Sequence, residues 1–583
     1  MSASITSIVS SARARAGETV HGRDPGPRSR GRRLLPSVRR LGARIFGRGE
    51  AQVTSPEAAE TGRCASAATF SVAMTTDIDH ALDAHLLRED GQEDLTFALY
   101  QLSTGMTRTT AILVELVHPQ DGERQVHGNA SFSGDYFLRA AGLAADRDLG
   151  LGFLHSHPGG KGWQGMSRDD RAAESGHAGA TQLITGLPLM GVTLAGRDHT
   201  YSARRWHRPV AGSERPASSR TAWVDEQATT VRVVGEQIKV SYNDSLVPVP
   251  APTRRSLRTV QSWGRRAHDD LIRLRIGVIG GGSVAQLVAE SLVRTGFIHV
   301  DILDFDLVEE HNLDRLLHAT EADVGEPKVS VLVDRLRSHT VTPDAVVHGF
   351  DDSVVEPEGW LRALDCDVLF SCVDRPWPRF ALNVAAYAHL IPVVDGGVAV
   401  DVRAGGDQSA SNPSGGDPPN APAPFRLIGA EWRAHLVGPN RRCMECLGQY
   451  DPGEVGMERA GLLDDPTYIA SLPADHHLRR GENVFAFSMA CAAAEVLEML
   501  RAVLGPSKIF DVGATLTHWT TATTKRDVEG CRPGCPFPTQ LQSRGDAAAV
   551  DVTGPHPAAA AARAAARRTE PLYGVSDSKS SNH

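Results

Sequence analysis

The stretch Ile276-Gly277-Val278-Ile279-Gly280-Gly281-Gly282-Ser283-Val284-Ala285 decides how the second half of this chain folds. Residues 276–279 read as a short buried strand, the three glycines as a turn, and Ser283 onward as a helix. Glycines at such a turn let the backbone approach a phosphate held at the helix N-terminus. About twenty residues on, a second strand over 300–303 ends in Asp304-Phe305-Asp306, where a carboxylate can bind ribose hydroxyls. Strand and helix patterns alternate to about residue 400, as in a doubly wound parallel sheet. At this point a nicotinamide site and an ATP site read alike.

The following residues separate them. Asn312-Leu313-Asp314-Arg315 is followed by Gly325-Glu326-Pro327-Lys328. A later strand, Leu369-Phe370-Ser371-Cys372-Val373-Asp374, has Arg379 behind it. A dehydrogenase has no use for this set. Adenylation does, because cations steady a polyphosphate whose α-phosphate is attacked and an Asp can hold Mg²⁺.

Over about 255–540 the ordered set resembles the ThiF/MoeB/ubiquitin-activating family of adenylyltransferases. The resemblance implies a Rossmann-like doubly wound domain that uses ATP and Mg²⁺. It places Gly280 and Gly282 in the nucleotide loop and Asp304 on the ribose. Asn312, Arg315 and Lys328 fall on the phosphates and Asp374 on Mg²⁺, with Arg315, Lys328 and Asp374 serving catalysis. Arg258 matches an arginine that reaches a neighbouring subunit's ATP, which implies a homodimer. Ser283 and Ala285 stand where the family has glycines, Leu316 where it has Gln, and Arg375 where Asn is frequent. None of these removes a needed charge. The family activates the C-terminal glycine carboxylate of a small ubiquitin-like or sulfur-carrier protein, so a partner ending in Gly-Gly is expected.

A second constellation lies upstream. His155-Ser156-His157-Pro158 ends a strand, and Ser167-Arg168-Asp169-Asp170 opens a helix. Histidines spaced i, i+2 on an extended segment point the same way. With one carboxylate they make a three-ligand set that leaves zinc a position for water, and such water has a pKa near ~7. A further carboxylate must then move the proton. Over about 75–205 these residues resemble the JAMM motif of the JAB/MPN metallopeptidases. The resemblance implies catalytic Zn²⁺ on His155, His157 and Asp170, Ser167 as oxyanion donor, and an upstream Glu as acid/base. Glu93 fits that role, and Glu115 is its rival. The loop between His157 and Ser167 is longer than the family's and contains Gly159, Gly160, Gly162 and Gly165.

Cys443 and Cys446, with Cys531 and Cys535, have the paired spacing of a structural Cys₄ zinc. None of Cys64, Cys366, Cys372 and Cys491 is an evident thioester cysteine. Eight cysteines in 583 residues are too few for a disulfide scaffold and fit a reducing, cytoplasmic setting. A net charge of -9 argues against a nucleic-acid partner. No apolar run of ~18 residues suggests a membrane span.

The expected fold class is α/β. A disordered basic arm over 1–70 precedes a JAB/MPN-like mixed α/β domain over 71–210. A linker over 211–255, with a hairpin around Val231 to Val240, leads to the adenylating domain over 256–545, with a flexible loop at 405–424 and a disordered tail over 546–583. The expected function joins ATP-dependent adenylation of the carrier to zinc-dependent (iso)peptidase trimming or removal of it. The rivals are a catalytically dead JAB scaffold, and adenylation or nicotinamide chemistry on a small molecule.

Overall fold

In the strand Leu95–Thr104 the first six residues are all buried. They divide by parity between two cores. Leu95, Phe97 and Leu99 pack with Tyr136 and Ala140 of the helix Gly134–Asp146. Ala98 and Tyr100 pack with Leu82 and Leu86 of the helix Thr76–Leu86. A period of two therefore feeds two apolar layers, and the sheet is covered on both faces.

The computed structural model describes residues 68–127, 129–208, 223–404, 425–472 and 482–566. The arm up to residue 67 with Cys64, the loop 405–424 and the tail from 567 lie outside the described residues. Among these residues no helix is long and apolar enough to cross a membrane.

The first sheet has nine strands. Its centre runs Thr69–Thr75, Arg108–Val117, Leu95–Thr104, Gly150–His157, Leu189–Ala195 and Thr200–His207. Its edges take in part of the expected linker over 211–255, whose hairpin around Val231 to Val240 is present and belongs to this sheet. Val224–Gln227 pairs with Thr200–His207, and Thr230–Val234 pairs in parallel with Thr69–Thr75, so that Val72 faces Val231. Ile238–Tyr242 closes the far edge. Val231, Val233 and Val234 are buried. Their pairing is with a strand about 160 residues earlier, which local composition does not report.

The second sheet runs Val346–Phe350, His299–Leu303, Arg275–Ile279, Val368–Ser371 and Val393–Ala404, all parallel. Three antiparallel strands follow: Phe425–Val437, Ala514–His518 and Thr523–Asp527. Strand order reverses at Arg275–Ile279, the place where open α/β sheets bind ligands beyond their carboxyl ends. Two helices, Leu257–Trp263 and Arg265–Ile272, lead into Arg275–Ile279. Gly264 breaks them at φ +87°, a conformation that favours glycine.

The sheets are joined by buried charge. Asp367 accepts from Arg108 Nη1 at 2.6 Å and from Arg232 Nη1 at 2.7 Å, and all three side chains are almost fully buried. Asp365 accepts from Thr107 Oγ1 at 2.6 Å and from the Arg108 amide at 2.9 Å. Residues 546–566, expected to be disordered, are fastened across both halves. Asp546 accepts from Thr104 Oγ1 at 2.7 Å, Trp377 Nε1 donates to the Val552 carbonyl, and Arg563 on the helix Pro557–Ala565 pairs with Glu356 at 2.7 Å. Few large apolar residues suffice, because these polar bonds act together with Val552, which is buried in the core.

Candidate functional site

The glycine loop is shaped for close approach. Gly280 has φ +110°, and a Cβ there would stand 2.4 Å from the Cys372 carbonyl oxygen. Gly282 is the N-cap of the helix Ser283–Thr295 and faces open space. Its lack of a side chain leaves the first-turn amides to an anion. Below it lies a cavity of about 560 Å³. All seven nucleotide-site positions expected from sequence line it: Gly280, Gly282, Asp304, Asn312, Arg315, Lys328 and Asp374. Arg379 lines it too. Arg258 lies on Leu257–Trp263 and is not among the lining residues.

The charges of this pocket hold one another in place. Asp304 follows the strand His299–Leu303 and accepts from the Gly281 amide at 2.6 Å and the Asp306 amide at 2.8 Å. Desolvation, with the Asp306 carboxylate next to it, pushes its carboxyl up to about 7. Lys328 opens the helix Lys328–His339 and pairs with Asp306 at 2.8 Å. Desolvation works to lower its pKa, but Asp304, Asp306 and Asp374 outweigh that and raise it. Arg315 donates to the His311 carbonyl at 2.6 Å. Asn312 caps a short turn by accepting from the Glu309 amide at 3.2 Å.

Sequence reading missed the pocket floor. Asp395 is fully buried, accepts from Ser371 Oγ at 2.7 Å, and lies between Arg379 at 3.5 Å and Arg433 at 3.4 Å. Burial works to raise its pKa, and the two arginines and His435 bring it below the usual value. Glu495 lies beside it, pushed well above the usual carboxylate range by burial and then by Asp395. Glu458 is buried, accepts from the Trp377 amide at 2.7 Å, and is pushed up to about 7 chiefly by burial. The one local signal was Asp395-Gly396-Gly397 on the last parallel strand, a carboxylate followed by glycines. Glu495 is on an apolar helix and Glu458 on a polar one, so neither stood out.

In the first sheet, His155, His157 and Asp170 come together. The histidine Nε2 atoms are 3.3 Å apart and lie 3.6 and 3.4 Å from the Asp170 carboxylate oxygens. Their strand pairs with Leu95–Thr104 on one side, which places Leu95 opposite His155. Asp170 is fixed by a reciprocal cap: its amide donates to Ser167 Oγ at 3.1 Å, and its carboxylate accepts from the Ser167 amide at 2.8 Å. The Ser167 hydroxyl proton remains available to another acceptor. The Asp170 hydrogen bond raises the His157 pKa, partly opposed by burial, and the Glu93 charge adds to the rise.

Glu93 and Glu115 part company here. Glu93 precedes Asp94, whose carbonyl accepts from the Ser156 amide at 3.0 Å, and its charge is felt at His157. Glu115 is half-exposed and paired with Arg147 at 2.5 Å. The long glycine loop leaves the ligand set intact. Gly160 donates to the His157 carbonyl at 2.8 Å, and Gln164 Oε1 lies 3.4 Å from His157 Nδ1. A partner on the second ring nitrogen fixes the orientation of a metal-binding histidine. His155 Nδ1 is buried with no hydrogen-bond partner among the described residues.

The ligand sulfurs of Cys443, Cys446, Cys531 and Cys535 lie within 4.8 Å of one another. Cys443 Sγ and Cys535 Sγ are 3.7 Å apart, far beyond a disulfide and close to the edge of a tetrahedron with zinc–sulfur bonds of about 2.3 Å. Burial raises the thiol pKa of Cys366, Cys372 and Cys491, which disfavours the nucleophilic thiolate at each.

Comparison with known proteins agrees with the second sheet. Residues 253–535 match the ThiF family. Over 142 residues the chain is 29% identical to a tRNA threonylcarbamoyladenosine dehydratase of Escherichia coli (strain K12), covering 24% of this chain and 52% of that protein. It is 30% identical over 169 residues to the ATP-dependent ubiquitin transferase-like protein Cap2 of Enterobacter hormaechei subsp. hoffmannii (strain UCI 50), covering 28% of this chain and 23% of the relative. It is 27% identical over 122 residues to a molybdopterin-synthase adenylyltransferase of Escherichia coli (strain K12), covering 21% and 48%. The chain thus spans about half or less of these relatives. A crystal structure of E. coli MccB with AMPCPP and MccA shares 16% identity, with a TM-score of 0.36 over 49% of this chain and 74% of that one. Residues 253–535, which hold the glycine loop, the charged pocket and the cysteine quartet, form a ThiF-family domain.

Proposed function

We propose that the protein adenylates the C-terminal glycine carboxylate of a small ubiquitin-like or sulfur-carrier protein. The observation that carries this reading is the convergence of the glycine loop, Asp304, Asn312, Arg315, Lys328 and Asp374 on one cavity. ATP is a substrate, so this chain's task is to hold and orient it. The Gly282 helix start and the cations Lys328 and Arg315 bind the phosphates, and Asp304 receives the ribose. Asp374 would hold Mg²⁺, which neutralises charge on the polyphosphate when bound. The carrier carboxylate attacks the α-phosphorus, the bond to the β-phosphate oxygen breaks, and pyrophosphate leaves with the bonding electrons. Arg379 and Arg433, fixed by Asp395, supply positive charge where the carboxylate tail enters. Carrier-dependent exchange of labelled pyrophosphate into ATP tests the reading. No exchange with a panel of Gly-Gly-ending carriers, where the protein binds ATP, would overturn it.

We further propose that the first sheet and its helices, from Thr69 to Tyr242, form a JAB/MPN-like domain with a JAMM (iso)peptidase site acting on the same carrier. The support is the convergent His155, His157 and Asp170, a donor set of two imidazole nitrogens and one carboxylate that suits zinc. Bound zinc would lower the pKa of its water. Glu93 moves the proton, and Ser167 donates to the developing oxyanion. The cysteine quartet would hold a second, structural zinc. Trimming exposes the carboxylate that adenylation consumes, so the two reactions follow one another. The seven free described cysteines fit a cytoplasmic setting. A homodimer follows from the resemblance of the ThiF-family domain, and equilibrium sedimentation tests it.

A further inference from the structure

A third group of metal-binding side chains lies away from both sites. Glu290 is on the helix Ser283–Thr295, two turns beyond the glycine loop. His339 ends the helix Lys328–His339. His318 lies on the segment between Arg315 and that helix. One ligand atom from each lies within 4.8 Å of the others. Glu290 Oε2 is 2.9 Å from His339 Nδ1 and 3.4 Å from His318 Nε2. Zinc bonds of about 2.0–2.1 Å to nitrogen and oxygen set tetrahedral donors about 3.3 Å apart.

A second observation points to a ligand. The His318 side chain is only 8% exposed, and its Nε2 has no partner with hydrogen-bond geometry among the described residues. A buried polar atom left unsatisfied is costly. Here it is aimed at a carboxylate oxygen that also meets a second imidazole. The other Glu290 oxygen is engaged by Arg294, so Oε2, already beside His339 Nδ1, is the one placed to ligate. Arg335 adds a positive charge near His318, which a cation must tolerate.

We infer that Glu290, His318 and His339 form a zinc site that braces the three segments behind the nucleotide loop. Two imidazoles and one carboxylate favour zinc over magnesium or calcium, which take oxygen donors. The brace reaches the loop by a short path. The His318 amide donates to Gln286 Oε1 at 3.0 Å, and Gln286 Nε2 donates to the Gly281 carbonyl at 3.3 Å. Zinc on His318 therefore restrains the residue that tethers Gly281.

The test uses the full chain, expressed with zinc, desalted, and analysed for zinc per polypeptide by mass spectrometry. Glu290→Gln, which keeps the size of the side chain, and the double variant His318→Ala/His339→Ala are compared with the parent. Each is expected to lose one equivalent of zinc, while circular dichroism and the zinc removed by His155→Ala stay as in the parent. Added zinc chloride is expected to raise the melting temperature of the parent more than that of Glu290→Gln. Equal zinc content in the parent and a folded Glu290→Gln would overturn the proposal and leave a plain ion-pair cluster. So would a site that prefers magnesium. Should the double variant fail to fold, Glu290→Gln alone decides.

Discussion

The two candidate sites place charge in opposite ways. In the first sheet, three donors converge on one point. One strand supplies His155 and His157 two residues apart, and one helix cap supplies Asp170. In the second sheet, charges from five or more segments surround a cavity of about 560 Å³, several of them already tied to a neighbour. A site for a single ion needs few segments and a short motif. A site for a nucleotide and a protein tail needs many segments held apart, and it keeps its cations in place by pairing them with Asp306 and Asp395.

That contrast can be broken most severely at Asp374. Asp374→Ala is expected to lower pyrophosphate exchange by about 10²–10³-fold or more, the range for losing one preorganised transition-state contact. Peptide cleavage should not change. If both activities fall together in a folded protein, the sites are not independent. Next, Glu93→Gln is expected to lower cleavage by about 10²–10⁴-fold, as for a lost acid/base, with zinc content and adenylation retained. Loss of zinc instead would place Glu93 among the ligands.

A third variant sharpens the pocket. Gly280→Ala must fit a Cβ 2.4 Å from the Cys372 carbonyl at a positive φ. The conformation alone costs about 1–2 kcal/mol, read as a lower melting temperature and weaker ATP binding. The pH dependence of stability offers a fourth. Asp304 has a folded pKa raised to about 7 from the ordinary aspartate value of about 4, so its contribution to stability is full below about 4 and is lost as pH rises through about 7. Asp304→Asn should flatten the decline in ATP-free stability across that window. An unchanged slope in urea titrations would remove Asp304 as its source.

The smallest expected effect separates the rival glutamates. Glu115→Gln breaks a half-exposed pair with Arg147, and such pairs contribute about 0.2–1 kcal/mol. Its cleavage rate should equal that of the parent. A cleavage defect larger than that of Glu93→Gln would exchange their roles.

Much of this was legible because chemistry-bearing residues sit close together in sequence. Gly280 to Asp374 runs through the strand–loop order of a parallel sheet, and His155, His157 and Asp170 span one strand and one helix cap. What was hidden was non-local. Thr230–Val234 pairs with Thr69–Thr75 across a long interval, so its hairpin was legible but its place in the first sheet was not. Residues 546–566 are anchored by Asp546, Trp377 and Glu356, which a count of apolar residues ignores. Asp395, Glu458 and Glu495 needed the fold to show that burial, rather than a motif, makes them important.

The segment that ends the described chain has a practical consequence. Residue 546 holds the end of the central strand Leu95–Thr104, and His556 and Ala558 line the nucleotide cavity. A gene cut between the two halves would hand this clasp to one product and its docking surface to the other. It would also strand Asp367 from Arg108 and Arg232, and leaving a buried charge unpaired costs about 3–5 kcal/mol. Separate expression of the halves should therefore yield insoluble fragments, and co-expression should rescue them.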